Sequence, residues 1–445
     1  MIRATSHSSG APQATATRGE IVAWSFYDFA NSGYSTVVLT TIFSAYFVGV
    51  IAGGEGGLSS GTATFLWTAA IAAANFFVLI SGPVVGAIAD YRASKKTFLG
   101  ITTVLCVAST AALAWAGAGQ LTLAMALIVI SAIAFSSGEN LIAAFLPEIA
   151  NTQNMGRISG YGWSLGYFGG LLTLGICLAY INWASAAGMG AAEYVPVTML
   201  ITAVIFAFAA LPTFLWLRER AVPRPIAPGL SYVRAGFLEV SLTLKKAVKL
   251  PDLFRFLACL TLFQAGVATV VVVAAIYAQE VMGFDSQQLI ILIMVVNFTA
   301  AGGAFVFGYA QDRFGSIRCL SAALLVWIVA IAVTYFASEP AHVWIAGNLL
   351  GLAMGATQAG GRALIGQFTP VSRSAEFFGL WGLASRAAAI IGPLSYGIIS
   401  SVSGGNHPLA LLSTLVFFVA GLLLLTTVNE RRGIQAADDY SEKMA

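Results

Sequence analysis

The chain has 445 residues, 58% of them hydrophobic and only 9% charged, with a mean hydropathy of +0.84 and a net charge of +3. Soluble globular proteins carry ~25% charged residues, so a chain this poor in charge cannot cover a water-facing surface, and most of it must face lipid. A soluble domain is thereby excluded, and the position of the charges matters more than their sum.

Residues 1–20 are rich in Ser, Ala and Thr and lack the apolar stretch of ~7–15 residues that a cleaved signal peptide needs; a disordered tail is expected. A helix needs ~20 apolar residues to cross the hydrocarbon core. Runs of that kind fall at 21–51, 62–89, 97–117, 121–146, 159–181, 194–217, 253–277, 287–310, 317–336, 342–368, 377–402 and 408–428. They predict an all-α membrane protein with twelve transmembrane helices. A six-helix bundle is expected over 21–217, a linker over 218–252, a second bundle over 253–428 and a tail over 429–445. In the linker Pro223, Pro225 and Pro228 break structure, and 231–249 reads either as a basic amphipathic helix lying on the membrane or as a solvated connection.

Twenty of the 22 Lys and Arg residues lie in the two tails or in loops and span ends on one side, eight of them between Arg218 and Arg255. The opposite loops hold only acids: Glu55, Glu193, Glu280, Asp285 and Glu339. A wrong helix count would have scattered the basic residues over both sides. By the positive-inside tendency both termini are expected to be cytoplasmic, in a multi-pass protein of the cell membrane.

The two halves repeat each other. Gly86 and Asp90 end the second span, and Gly308 and Asp312 end the eighth, 222 residues later. Gly138-Glu139-Asn-Leu-Ile and Gly361-Arg362-Ala-Leu-Ile end the fourth and tenth spans at an offset of 223. Gly33 with Thr36-Val-Val matches Gly266 with Thr269-Val-Val at 233. Several landmarks at near-fixed spacing mean duplication, and halves related by an axis along the membrane normal build one large group of transporters.

The stretches Gly86…Asp90-Tyr91-Arg92-Ala93-Ser94-Lys95-Lys96 and Gly308…Asp312-Arg313-Phe314-Gly315-Ser316-Ile317-Arg318 resemble the helix 2–3 signature of the major facilitator superfamily. Tyr91 and Ala93 depart from its usual Arg and Gly. A narrower resemblance, to the vacuole-effluxer-like branch, rests on Trp24-Ser-Phe-Tyr27-Asp28-Phe-Ala-Asn31, on Thr36 through Phe43 and on Glu376-Phe-Phe-Gly-Leu-Trp381 through Gly392-Pro393. The resemblance covers 21–428 and implies the major facilitator fold, two pseudo-symmetric bundles that rock about a central site. It also implies helices 1, 4, 7 and 10 around the cavity, and amino acids as cargo. In this arrangement Asp90 is expected near the N-terminus of helix 11 and Asp312 near that of helix 5. Unsatisfied N–H groups and the dipole there favour a carboxylate by ~0.3–2 kcal/mol. Gly86, Asp90, Arg92, Gly308, Asp312 and Arg313 are therefore assigned to gating, against the plainer reading that they end helices and hold charge on one side.

Four charged residues remain within the spans away from their first two or three positions: Asp28, Glu139, Arg362 and Arg386. Unpaired, each would cost ~2.5–3.5 kcal/mol, so two acids and two bases should pair or line a wet cavity. Asp28 shares a helix face with Asn31 and Ser35, and Asn348, Gly351, Gly355, Gln358 and Arg362 form a second stripe. That stripe reads as cavity lining or as close helix packing. Arg386 lies ~15 Å into its helix, near the midplane, where its guanidinium offers a fork to a carboxylate or phosphate. It either binds an anionic or zwitterionic solute or pairs with Asp28 or Glu139. Gln264, the repeat mate of Asn31, completes the substrate-binding candidates. Asp28 and Glu139 are also candidate proton carriers, since a buried carboxyl group can exist neutral.

Other chemistries find no support. His7, His342 and His407 lack ligand spacing, Cys106, Cys177, Cys259 and Cys319 sit singly in apolar segments, and no phosphate-cradling loop or nucleophile–base set occurs. No cofactor, metal or nucleic acid is expected, and the chain is expected to act as a monomer. Secondary transport of a small polar solute is the leading expectation. A channel, a non-transporting receptor and a membrane-embedded enzyme are the alternatives; saturable flux with counterflow distinguishes a carrier from all three.

Overall fold

The computed structural model describes residues 16–53, 57–223, 231–245, 250–280, 282–284, 286–403 and 407–442. Residues 1–15 of the tail expected over 1–20, Glu55, Asp285, Pro225, Pro228 and the last part of the 231–249 segment lie outside the described residues.

All described secondary structure is helical. The membrane helices are α1 (Arg18–Tyr34, continuing to Ala52), α2 (Ser60–Arg92), α3 (Lys95–Ala112), α4 (Leu121–Ala143), α5 (Met155–Ala186) and α6 (Ala191–Trp216). The second half holds α7 (Pro251–Glu280), α8 (Ser286–Phe314), α9 (Ser316–Tyr335), α10 (Pro340–Gln367), α11 (Ser374–Val402) and α12 (Leu415–Leu425, entered through His407–Ser413). Eleven are apolar and long enough to cross a bilayer. The twelfth, α10, has 28 residues and spans ~42 Å; Asn348, Gln358, Arg362 and its glycines lower its hydropathy. Of two further helices, Tyr232–Lys245 takes up the helical one of the two readings for 231–249, and Glu430–Glu442 stands where a tail was expected.

The chain enters α1 earlier than composition predicts. The Thr17 hydroxyl accepts from the Glu20 N–H while the Glu20 carboxylate accepts from the Thr17 N–H, a capping box at the helix start. Further along, the Thr36 carbonyl takes the hydroxyls of Thr40 (2.9 Å) and Thr41 (2.6 Å). Those side chains compete with the backbone for the carbonyl, and α1 widens into π-helical turns at Ser35–Thr40 and Phe47–Ala52.

On the face rich in Lys and Arg, the duplication is visible in the side chains. Glu219, just past α6, accepts from the Lys95 and Lys96 N–H groups that open α3. Glu430, just past α12, accepts from Ser316 and Ile317, which open α9. Arg220 pairs with Glu20 at 2.8 Å, and Arg432 with Asp252 at 2.7 Å. Each half thus closes its basic end with the same cap and the same ion pair.

Within the second half, α10 packs on α8 through Gly351 and Gly355. A Cβ at Gly355 would meet backbone atoms of Ala300 and Ala304, which cannot rotate away. Gly355→Ala is expected to lower stability in detergent by ~1–3 kcal/mol, read as a drop in thermal midpoint. Gly302→Ala, where nothing lies within 4 Å of the added atom, should leave the midpoint unchanged.

Candidate functional site

The two halves meet along α2 against α11 and α5 against α8. Between them lies a cavity of about 210 Å³. Glu139 and Asn140 of α4 and Trp163 of α5 form one wall; Gln264 and Val267 of α7, Gln358 of α10 and Arg386 of α11 form the other. Arg386 Nη2 donates to Glu139 Oε2 at 2.6 Å, linking the halves across the cavity. Gln264 Nε2 donates to Gln358 Oε1 at 2.9 Å. Several buried polar atoms on the walls have no protein partner: Arg386 Nε, Ser385 Oγ, Trp163 Nε1 and both side-chain polar atoms of Asn140. Such atoms are costly unless water or a solute satisfies them.

A second cross-half ion pair lies nearer the basic face. Arg362, one turn beyond Gln358 on α10, has Nη1 at 2.7 Å from Asp28 Oδ2 of α1. Its Nε donates to Ser159 Oγ at 3.2 Å and its Nη2 to the Ser159 carbonyl at 3.0 Å, both on α5. The guanidinium lies 4.6 Å from the ring centre of Trp24 and 5.3 Å from that of Trp163, within cation–π range. Gly162 makes room, since a Cβ there would collide with Asp28, Arg362 and Trp24.

At the basic face, Asp90 accepts from the Ala375 and Glu376 N–H groups (3.1 and 2.8 Å) at the start of α11. Asp312 accepts from Gly156 and Arg157 (2.8 and 3.1 Å) at the start of α5. Each carboxylate of one half therefore caps a helix of the other. Gly86 lies under the Ala375 carbonyl, and Gly308 lies against Gly156 and Gly160, so both signature glycines permit the close approach.

Of the seven substrate-binding candidates, Glu139, Gln264, Gln358 and Arg386 line the cavity. Asp28, Asn31 and Arg362 are buried outside its walls; helix rotation turns them into the α1–α5–α10 packing. The α10 stripe divides likewise. Gly351 and Gly355 serve packing against α8, Asn348 is exposed and donates to its own Trp344 carbonyl, and only Gln358 reaches the cavity. Among the gating candidates, Arg92 is exposed over the Tyr232 ring and Arg313 beside Phe314, outside the two caps.

Sequence reasoning missed Lys95, whose side chain is fully buried, pairs with Glu148 and donates to Ser374 Oγ at 2.6 Å, 3.9 Å from Asp90. It also missed Arg373, buried at 3.7 Å from Glu376. In sequence both fall between the expected spans and read as solvated charges; the signal was their place at the starts of α3 and α11. Asn140, next to Glu139, was equally legible.

Likeness to known proteins bears on the fold and the family. The human organic anion transporter MFSD10 (TETRAN) matches the fold with a TM-score of 0.72 at 14% identity, over 93% of this chain and all of that one. The proton:xylose symporter XylE matches with a TM-score of 0.70 at 14% identity, over 95% and 98% of the two chains. At 14% identity these two likenesses show the fold alone, a multi-pass helical membrane protein in two halves of the major facilitator type. The uncharacterized MFS-type transporter YxiO of Bacillus subtilis (strain 168) is 28% identical over 94% of this chain and 97% of its own. Autophagy-related protein 22-1 of Penicillium rubens is 26% identical over 61% of this chain, which spans about half (49%) of the fungal protein. The family model described as "Vacuole effluxer Atg22 like" matches residues 60–438, and the chain belongs to that family.

Proposed function

We propose that the chain carries a small zwitterionic solute, of the amino-acid type, by alternating access between its two halves. The observation that carries this reading is the Arg386–Glu139 contact. Opposite charges from opposite halves face each other in a small cavity, with Arg386 Nε, Ser385 Oγ and Asn140 left unpartnered around them. A carboxylate fits the open side of Arg386, a cationic amine fits Glu139, and the apolar side of the solute meets Val267 and Trp381. A dicarboxylate would leave Glu139 unanswered, and a sugar would answer neither charge.

In this reading Asp90 and Asp312, with Gly86 and Gly308, latch the basic face shut, and the solute enters from the opposite side. With the basic face cytoplasmic, as the charge asymmetry favours, this is the state open to the outside. Asp28–Arg362 is the inner staple that parts when the halves rock. A proton serves as co-substrate by neutralising Glu139 or Asp28 as its arginine moves away. The units are 21–217 and 253–428, joined by 218–252.

The test is a thermal-shift screen of purified protein against neutral, acidic and basic amino acids, dicarboxylates and sugars. Neutral zwitterions are expected to raise the midpoint in the parent and not in Arg386→Ala. Stabilisation by sugars alone, or by zwitterions equally in both proteins, would overturn the reading. Counterflow of the hits in proteoliposomes is expected from a carrier; its absence beside saturable binding would indicate a receptor.

A further inference from the structure

The helix Tyr232–Lys245 joins the two halves and leans against the basic end of α2. Ala235 and Gly236 form its inner side: a Cβ at Gly236 would already touch Ile88 and Val84 of α2, and Arg92 covers the Tyr232 ring at 5.3 Å. Val84 is eight residues before the end of α2, or ~12 Å along its axis, so the contact lies at the level where the span leaves the hydrocarbon. Above it α2 presents Phe76, Phe77 and Ile80 outward, each more than half exposed and facing the lipid of a spanning helix.

The outer side of the connecting helix is apolar where a soluble linker would be polar. Phe237 is 56% exposed, Leu238 47% and Leu242 45%. Arg234, Leu238, Leu242 and Lys245 follow one another at steps of four, four and three, so one stripe carries two leucines between two basic residues. The segment from Arg218 to Arg255 holds eight Lys and Arg residues. Aliphatic side chains flanked by cations whose stems can lie along the interface are what a helix resting in a headgroup layer requires. The exposed stripe also continues the lipid-facing strip of α2.

We propose that this helix is an interfacial anchor whose Phe237–Leu238–Leu242 face rests in the bilayer leaflet on the basic side, and that anionic headgroups hold it there. Its consequence is mechanical. The helix is fixed to α2, and α2 bears Asp90, the cap on α11; leaflet charge thereby bears on the half that must move when the basic face opens.

All described cysteines are buried, so Leu238→Cys in the full chain gives a single accessible thiol for an environment-sensitive fluorophore. The labelled protein is reconstituted in vesicles of phosphatidylcholine with and without phosphatidylglycerol. A blue-shifted emission, quenched by shallow spin-labelled lipid and shielded from iodide, is expected with phosphatidylglycerol. Arg234→Gln/Lys245→Gln should lower the embedded-to-free ratio of the label about fivefold per charge removed. Iodide-accessible label in both vesicles overturns the proposal. Equal burial without phosphatidylglycerol overturns the role of anionic headgroups. Oxidative cross-linking of the unlabelled Leu238→Cys variant into disulfide-bonded dimers would mean that a second copy covers the face, and would overturn it as well.

Discussion

Arg362→Gln is expected to destabilise the protein by about 3–5 kcal/mol, because it leaves Asp28 as a buried carboxylate without its cation. The loss extends beyond the 2.7 Å ion pair, since the same guanidinium makes both contacts to Ser159 and fills the gap between Trp24 and Trp163. Asp28→Asn should cost a similar amount, and the double variant Asp28→Asn/Arg362→Gln should recover much of it, since no naked charge remains. Thermal unfolding of the four proteins in one detergent closes the cycle; near-additive losses would mean that the two residues act independently. The pair also joins α1 to α10 across the halves, so its removal should favour opening of the basic face. Spin labels at the exposed positions Arg92 and Arg313, one at the basic end of each half, should show a longer distance distribution in Arg362→Gln. An unchanged distribution would reduce the staple to a packing element.

The second large effect is expected at the cavity. Arg386→Lys keeps the charge but loses the planar fork, and hydrogen bonds to charged groups are worth about 1.5–3 kcal/mol. Apparent solute affinity should fall by about 10- to 150-fold while the thermal midpoint without solute changes little. Glu139→Gln separates binding from energetics. The amide still meets Arg386 but can no longer take up a proton, so gradient-driven uptake into liposomes should stop while solute exchange continues. Asp28→Asn is expected to show the same split if the inner carboxylate is the proton carrier. Should both variants remain fully gradient-driven, proton coupling through these groups is ruled out.

Much of the fold was legible because the bilayer imposes local rules. Length and hydropathy mark each span, and the one-sided distribution of Lys and Arg orders them. The duplication then placed Asp90 and Asp312 at the starts of α11 and α5, where both are found. The requirement that Asp28, Glu139, Arg362 and Arg386 compensate one another was likewise visible, as a matter of solvation cost. Which acid meets which base was not. That depends on the rotation of each helix about its axis and on its lateral neighbours, which periodicity within one helix does not encode. The α10 stripe illustrates the limit: glycines that admit a solute and glycines that admit Ala300 have the same spacing. Capping of α1 by Thr17 was legible in Thr-x-x-Glu and was obscured by the polar composition before it. Burial of Lys95 and Arg373 depends on contacts between halves, which no single segment carries.

Glu139 and Arg362 hold corresponding places in the repeated sequence, yet one is an acid and the other a base. Both intramembrane acids belong to the first half and both bases to the second. Two identical units would set identical charges at such places, so the present polarity requires that the two copies have diverged. Either half made alone would bring two bare charges of one sign into the bilayer, and each is the other's counter-ion during biogenesis as much as during transport.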